Sequence, residues 1–489
     1  MTFRRLQPLL MILVALVFTL PIVAVLASWL PLGAFGGQDM GAATQILREM
    51  ASAVLPRYAA TTVWLAVLVG IGVALVGIGS AALVTLFDFP GLRSLEWLLL
   101  LPLAMPAYVT AYAYTDFLQF SGPLQVWMRA TFGLEGRVLP EVRSLGGAAW
   151  VFVFSLYPYV YLLARTALSE RAAHLMEAAR LLGAPLSRRI REIALPLARP
   201  AVAAGVALAL METFADFGVS SYFGIQTFTT GIYKAWLSMD NRIAAAQLAT
   251  MLLAVVALLL WLEHRAQARM RFVVGRGARA SSAEAQPTAL HGRQQWLAWA
   301  LGAFPVLAGF VAPVAFMLRP LAADWSVLPW DRFVQWTLNS LRLGALSAVL
   351  AVLLALFLAF SRRRSSDWWT RTVVQLASLG YAVPGAVIVV GLLLPVGWLQ
   401  AAAPESHAGY WVTATVAGIT WAYLVRFSAV ALQSVQSGYA RIPTSFDDSA
   451  RMLGVGGWGL LTRVHWPLLR RSTTARVSLL KGRSTMVAG

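Results

Sequence analysis

The sequence predicts an all-α polytopic membrane protein, on the evidence of its composition, its apolar runs and the placement of its charges. Of the 489 residues, 59% are hydrophobic and 12% are charged, and the mean hydropathy is +0.69. Many apolar runs reach the roughly 20 residues that a helix needs to cross a hydrocarbon core of about 30 Å. The net charge of +18 could indicate nucleic-acid binding. The basic residues, however, concentrate in alternate segments between apolar runs, as cytoplasmic loops do, so no nucleic-acid partner is predicted.

The first span is predicted at about Leu9–Pro31, after Arg4 and Arg5, which places the N-terminus in the cytoplasm. This run exceeds the apolar core of a cleavable signal peptide, so we expect a retained helix. Pro102 and Pro106 should kink the third span. The nine later spans are predicted at about Thr61–Leu86, Leu95–Phe117, Gly147–Ala164, Ala201–Tyr222, Ile243–Glu263, Trp296–Leu318, Leu338–Phe360, Val373–Leu399 and Tyr410–Leu432.

A motif between the fourth and fifth spans returns after the tenth. The first copy has an acid, two alanines, a glycine, an isoleucine and a Leu-Pro pair, at Glu177, Ala178, Ala179, Gly183, Ile193, Leu195 and Pro196. The second keeps the spacing 271 positions later, at Asp448, Ala450, Gly454, Val464 and Pro467. A regular repeat of this length indicates tandem duplication. Each copy is predicted to form a short helix-turn-helix, which arginines hold outside the lipid.

The repeated motif resembles the cytoplasmic coupling loop, called the EAA loop, of permease subunits of bacterial ABC importers. The first copy matches every motif position, whereas the second has Asp448 for Glu, Ser449 for Ala, Val464 for Ile and Trp466 for Leu. The runs 101–108 and 211–218 are similar to the fused, two-repeat permeases of ferric-iron uptake systems. This similarity extends to about Arg471 and implies two tandem transmembrane repeats in one chain.

The resemblance divides the chain into four parts. Residues 1–264 form a first repeat with coupling loop 171–198, and residues 265–295 form a basic cytoplasmic linker. Residues 296–471 form a second repeat with coupling loop 442–469, and residues 472–489 are a divergent tail. The repeat implies twelve spans where ten are predicted, so the second repeat is expected to be truncated, by a frameshift or otherwise.

The chain carries no phosphate-binding G-x-x-x-x-G-K-[ST] motif and no recognisable catalytic site, so it is not expected to be an enzyme. It should bind no cofactor, and ATP would be used by a partner. The resemblance implies two copies of a cytoplasmic ABC ATPase, one per coupling loop, and an external substrate-binding protein. Leu175, Ala179 and Leu182 could form an apolar docking face, and Glu177 could pair with an arginine of the ATPase.

Acids and tyrosines of the third and fifth spans are candidates for a translocation path. Glu212 and Asp216 are four residues apart, so on one helix they would share a face, and carboxylates within a membrane are costly. With Tyr108, Tyr112, Tyr114 and Asp116, they could line an oxygen-rich passage for a hard cation. Alternatively, Asp216 caps a helix or meets water, and Glu212 pairs with an arginine. No resident metal site is predicted.

The sequence therefore favours a multi-pass permease of the bacterial inner membrane, surrounded by lipid, for ferric iron. A permease for thiamine, sulfate, a polyamine or a phosphonate remains open, because the coupling loop is common to such proteins. An ion-coupled secondary transporter and an inactive truncated product are the alternatives from other classes.

Overall fold

The computed structural model describes most of the chain, nearly all of it as helix. The described residues are 2–30, 45, 48–49, 51–52, 54–169, 173–271, 287–323, 325–327, 329–365, 367–457 and 459–469. The tail predicted at 472–489 lies outside them, as do residues 272–286 of the predicted linker.

Twenty α-helices are numbered here in chain order. Those before the linker are α1 (Thr2–Ala27), α2 (Leu55–Leu86), α3 (Leu92–Leu98), α4 (Ala107–Leu118), α5 (Pro123–Phe132), α6 (Leu145–Ala167), α7 (Ala173–Leu181), α8 (Leu186–Arg189), α9 (Leu195–Ala215), α10 (Gly218–Tyr222), α11 (Phe228–Tyr233) and α12 (Arg242–Arg271). Those after it are α13 (Arg293–Val306), α14 (Ala312–Ala323), α15 (Trp330–Arg364), α16 (Trp368–Leu379), α17 (Gly385–Ala402), α18 (Ala408–Thr413), α19 (Val416–Tyr439) and α20 (Ser445–Met452).

Shorter elements connect these helices. In the described part of the chain, complete π-helical turns lie at Ile190–Ala194, Lys234–Ser238, Leu307–Val311 and Leu460–His465. Single 3₁₀ turns lie at Leu101–Ala104, Trp325–Val327, Gly380–Ala382 and Pro404–Ser406. Among the described residues the strands are β1 (Phe87–Asp88) and β2 (Thr288–Ala289), which pair in parallel.

The all-α polytopic class is confirmed. In the described part of the chain nine helices are long and apolar enough to cross a membrane, or ten if one bent pair counts as a single span. That pair is 92–104 with 107–132, bent by 88° at the two prolines of the predicted third span. A proline removes a backbone donor and fixes φ, so a break there is the expected response.

Three predicted spans end or break differently. The tenth, predicted from Tyr410 to Leu432, is broken at residues 414–415, because α18 ends at Thr413 and α19 begins at Val416. The fifth was predicted to reach Tyr222, but α9 ends at Ala215 because Asp216 turns to extended backbone, with ψ 111°. The ninth is interrupted between Leu379 and Gly385, where a 3₁₀ turn precedes Pro384. The residue before a proline avoids the α region, which accounts for the interruption at Val383.

One compact unit comprises residues 1–40 and 329–489. In it α1 packs against α16, α17 and α19, and α15 packs along α19. The Trp421 indole N–H donates to the Val17 carbonyl at 3.0 Å. A Cβ on Gly391 would overlap the Pro21 carbonyl oxygen, so α17 and α1 touch backbone to backbone. Such close approach needs a residue without a side chain.

The other compact unit comprises residues 41–328. Its centre is the packing of α2 against α6 and of α9 against both. Gly77 permits this approach, because a Cβ there would lie 2.5 Å from Cβ of Val160. α13 and α14 pack in the same unit: the Tyr114 hydroxyl donates to the Ala308 carbonyl at 2.7 Å, and the rings of Phe117 and Phe316 stack at 4.0 Å.

The compact units do not follow the predicted repeat boundaries. α1, from the first predicted repeat, packs in the unit that holds most of the second, and α13 and α14 pack with the first. Each predicted repeat thus contributes its first span to the other unit. The division at 264 and 296 concerns duplication of sequence, and it stays a prediction.

Candidate functional site

The candidate site consists of two loops, here called the first docking loop (171–198) and the second docking loop (442–469). Each begins just after a long helix ends, α6 at Ala167 and α19 at Tyr439. The structure describes the first from Ala173 onward and the second apart from residue 458. Each is described within its own compact unit.

In the first docking loop α7 ends in a tight left-handed turn. Gly183 has φ +79°, a conformation that L-residues with a Cβ reach only at a cost of about 1–2 kcal/mol. Its N–H donates to the Arg180 carbonyl at 2.9 Å, and the Ala184 N–H donates to the Ala179 carbonyl at 2.9 Å. This is how glycine commonly closes a helix C-terminus, and it fixes the direction in which the chain leaves α7.

The second docking loop repeats this geometry at the end of α20. Gly454 has φ +77°. Its N–H donates to the Arg451 carbonyl at 3.0 Å, and the Val455 N–H donates to the Ala450 carbonyl at 2.9 Å. Because each pair of atoms lies 271 positions after its counterpart, the two motif copies have the same backbone fold despite their differences in sequence.

Both loops expose three large apolar side chains at equivalent positions. The exposed fractions in the first loop are 52% for Leu175, 81% for Leu181 and 87% for Leu182. In the second loop they are 49% for Phe446, 90% for Met452 and 83% for Leu453. These six residues are here called the docking faces. Exposed apolar clusters commonly mark interaction sites.

The remaining motif residues hold the shape of the loops. Ala178 is exposed and Ala179 is half-buried, whereas Ala450 is buried. The half-buried side chains are Ile193, Pro196, Val464 and Pro467, and Leu195 is 38% exposed. A π-helical turn precedes the closing proline in each loop. In the first loop Pro196 is the second residue of α9, which continues directly from the π-helical turn.

The motif acids make local ion pairs in both copies. Glu177 lies 3.7 Å from Arg180, and Asp448 lies 3.4 Å from Arg451, each three residues along its helix. The pairs are partly exposed, so each contributes little to stability. A pairing of Glu177 with an arginine of an ATPase stays a prediction.

A buried polar cluster, here called the Arg363 junction, lies beneath the second docking loop. It consists of Arg363, Tyr439, Asp447 and His465. The Arg363 Nε and Nη2 donate to the two Asp447 carboxylate oxygens at 2.6 and 3.0 Å. The fully buried His465 ring places Nε2 2.9 Å from Asp447 Oδ1 and Nδ1 3.2 Å from the Tyr439 hydroxyl.

The protonation of the junction follows from its contacts. Burial raises the Asp447 pKa, but hydrogen bonds from Arg363 and His465 outweigh it and hold that pKa below its ordinary value. Burial lowers the His465 pKa despite the neighbouring Asp447. The ionised carboxylate only accepts hydrogen bonds, so neutral His465 carries its proton on Nε2 and accepts at Nδ1 from Tyr439.

The sequence reasoning missed Leu181, which extends the first docking face, and the junction residues Asp447 and His465. Leu181 could have been found from its position beside Leu182 at the end of an amphipathic helix. Asp447 adjoins the motif residue Asp448, but its partner Arg363 lies 84 positions away, and no local pattern joins the two.

The structure brings some of the path candidates together. Tyr108 and Tyr112 of α4 are 56% and 48% exposed, and Tyr112 lies 6.1 Å from Tyr222 of α10, ring to ring. Tyr108 packs on Gly218, because a Cβ there would lie 2.8 Å from Cβ of Tyr108. Asp116 is half-buried further along α4.

Other path candidates have local roles. The predicted shared face of Glu212 and Asp216 does not form, because α9 ends before Asp216. The Asp216 carboxylate accepts a hydrogen bond from the Val219 N–H at 2.7 Å and so caps α10, as the alternative interpretation proposed. Glu212 is half-buried. Tyr114 is buried and bonded to Ala308, so it packs between helices.

Within the described residues, no group of three or more histidine or acidic side chains is arranged to hold a metal ion. Cysteine is absent from the whole sequence.

The fold and the paired loops define a multi-pass membrane protein with two copies of one loop motif. Residues 1–272 match the family described as binding-protein-dependent transport system inner membrane component. This match covers more than half of the chain. The chain belongs to that family.

Several curated proteins are similar to it. An Fe(3+)-transport system permease protein of Haemophilus influenzae is 25% identical over 336 residues, which cover 68% of this chain and 62% of that protein. A probable ABC transporter permease protein of Sinorhizobium fredii is 24% identical over 435 residues, which cover 83% of this chain and 74% of that protein. The sulfate transport system permease protein CysW of Escherichia coli is 31% identical over 217 residues, which cover 42% of this chain and 72% of that protein.

Proposed function

We propose that this chain is the permease subunit of an ATP-driven, binding-protein-dependent importer of ferric iron. In this proposal it lies in the bacterial inner membrane with its N-terminus and both docking loops in the cytoplasm. Two copies of an ABC ATPase bind the loops, and an external binding protein delivers the substrate. The chain itself supplies the passage.

The paired docking faces carry this proposal. Two loops with one backbone fold each present three exposed apolar side chains at the same register, which suits two copies of one partner. A single amphipathic loop would be compatible with any soluble partner. Two equivalent loops in one chain favour a partner that acts as a dimer, because each copy then meets the same surface.

Ferric iron is favoured over sulfate by the extent of the similarity. The alignment to the ferric-iron permease of Haemophilus is longer than one predicted repeat, whereas the sulfate permease of Escherichia coli aligns over less than one. The carboxylates and phenols near α4 and α10 also suit a hard cation, which prefers oxygen ligands. Fe³⁺ is here the substrate that passes through, not a resident cofactor.

Transport follows from a cycle in which ATP-driven closure of the partner moves the docking helices α7 and α20. Each docking helix is joined to a long helix, α7 to α6 and α20 to α19. A displacement at the loops can therefore shift these helices and open the passage to one side at a time. The tight glycine turns keep each docking helix at a fixed angle during the movement.

The test is reconstitution of the purified chain in liposomes with its candidate ATPase and binding protein. We expect ATP hydrolysis to rise when binding protein loaded with Fe³⁺ is added, and radioactive iron to accumulate in the lumen. Leu182→Asp together with Leu453→Asp should abolish ATPase binding, because charged groups would replace the centres of the docking faces. Ser187→Asp, at an exposed polar position of the first docking loop outside its docking face, serves as a surface control.

The outcomes separate the parts of the proposal. Stimulation by sulfate-loaded binding protein with no response to iron would contradict ferric iron and leave the importer class. Full ATPase binding by the double variant would contradict the role of the docking faces.

A further inference from the structure

In the Arg363 junction, the guanidinium group of one α15 residue bonds to both α19 and α20. Arg363 is in the last turn of α15, and its fork grips Asp447 near the start of α20. The same guanidinium donates to carbonyls at and just beyond the C-terminal end of α19: Nη1 to Tyr439 at 3.2 Å and to Ile442 at 3.0 Å, and Nη2 to Pro443 at 3.0 Å. A cation at these carbonyls also complements the C-terminal end of the helix dipole.

The junction faces away from the docking face of the same helix. On α20, Phe446 is 49% exposed, whereas the next residue, Asp447, is buried. A force on the exposed side of α20 therefore reaches Arg363 directly. Two parallel N–H···O bonds fix both the distance and the orientation of the partners, unlike an apolar contact, which can slide.

The first docking loop has no such cluster at the equivalent positions. Its counterparts to Tyr439, Asp447 and His465, each 271 positions earlier, are all apolar and all buried, and they are Leu168, Met176 and Ala194. These three positions are thus apolar in the first loop, whereas their counterparts in the second belong to a charged, directional cluster. Burying a charged pair is generally no more stabilising than burying apolar residues, so stability alone does not explain the difference.

We propose that Arg363 is a positioning residue for energy coupling. It transmits the movement of α20 to α15 and α19 as one body, which makes the second docking loop the more tightly coupled of the two. This inference rests on the proposed importer function. Asp447 orients the Arg363 fork, while neutral His465, which accepts from the Tyr439 hydroxyl, donates to Oδ1 of the Asp447 carboxylate.

The first measurement uses the chain without partners. Nitroxide labels are attached to cysteines placed at the exposed positions Ser449 and Leu353, which the absence of native cysteine makes specific. We expect a narrow distance distribution between α20 and α15 in the parent chain. It should broaden in Arg363→Lys, which keeps the charge but loses the planar fork. Arg364→Lys is the matched control and should leave the distribution unchanged.

The second measurement uses liposomes with the ATPase and loaded binding protein. Arg363→Lys should bind the ATPase as the parent does, because the docking faces are intact, yet stimulation of ATP hydrolysis and substrate moved per ATP should each fall about tenfold. A fourfold variant, R363M/Y439L/D447M/H465A, installs the first loop's residues at the three equivalent positions. It should be stably folded and equally uncoupled, which separates coupling from loss of structure.

The results distinguish the role of Arg363 from the importer function. Narrow distances and full coupling in both variants would overturn the role of Arg363 while leaving the importer function intact. Loss of ATPase binding in proportion to stimulation would also overturn it, since the junction would then only shape the docking face. A parent chain that neither binds nor stimulates the ATPase would refute the importer function, and the coupling role with it.

Discussion

Asp216 is a position at which a structural role and a proposed role in transport can be tested separately. Its carboxylate caps α10 through the Val219 N–H, and it lies close to Tyr108 across Gly218. A cap needs only an oxygen acceptor, whereas attraction of a cation needs the negative charge. Asparagine retains the first property and lacks the second, so the two roles can be separated.

We expect Asp216→Asn with Glu212→Gln to reduce uptake of iron in the reconstituted system while leaving ATPase binding unchanged. Asp216→Ala should in addition lower the stability of the chain by about 0.5–2 kcal/mol, the usual cost of a lost helix cap. Uptake and thermal unfolding of each variant are the measurements. Undiminished uptake by the Asn/Gln variant would show that the charges take no part in transport.

At the residue scale, the sequence predicts positions that depend on near neighbours and misses those that depend on distant ones. Gly183 and Gly454 were predicted correctly as turns because a helix end and its glycine are local. The Arg363–Asp447 pair could not be predicted, because charge alone does not say which of many arginines will meet a given acid. Asp448, the motif acid, proved to be exposed while its neighbour is buried.

At the element scale, a helix boundary can be predicted from the sequence where a proline interrupts the helix, because the proline acts sterically on its immediate neighbours. The bend at Pro102 and Pro106 was predicted, although not its size of 88°. The end of α9 at Ala215 was not, although Asp216 and Gly218, residues that favour helix caps and turns, follow it. The hydrogen bond from the Val219 N–H to the Asp216 carboxylate stabilises the conformation in which the chain leaves α9. Such a bond forms only when the backbone has that conformation.

Close contact between two helices can be tested at Gly391, where α17 meets α1. We expect Gly391→Leu to lower the unfolding temperature, because overpacking costs about 1–3 kcal/mol and exceeds the gain in helix propensity of up to about 1 kcal/mol. Gly344→Leu, in α15, is the matched control, since a Cβ there meets nothing within 4 Å. Its unfolding temperature should equal or exceed that of the parent. Equal behaviour of the two variants would contradict the contact between α17 and α1.

At the scale of the whole molecule, the sequence could not predict that each predicted repeat contributes its first span to the other compact unit. This arrangement is here called the exchange of first spans. Hydropathy locates each span, and the repeat relates spans to one another, but neither states which helices touch. All candidate partners are similarly apolar, so selection depends on close fits such as Gly309, where a Cβ would overlap the Phe154 carbonyl oxygen. Fits of this kind are properties of two surfaces together.

The exchange predicts that the two halves stay together after the chain is cut. A protease site inserted between residues 272 and 286 should yield two fragments that co-elute in mild detergent, because α1 packs with the later half and α13–α14 with the earlier one. Size-exclusion chromatography after cleavage is the measurement. Combining the cut with Gly391→Leu and Gly309→Leu should separate the fragments. Separation without those substitutions would rule out the exchange.

The packing of α1 against helices late in the chain also determines when α1 can make its contacts during biosynthesis. α1 leaves the ribosome first, yet the helices that cover Met11, Phe18 and Val25 begin at Trp368. At about 5–20 residues per second, translation of the intervening chain takes roughly 20–70 s. In water an uncovered apolar face would invite aggregation for that whole interval. In a bilayer the acyl chains solvate it nearly as well as its eventual partners do, so α1 can wait for them in the lipid.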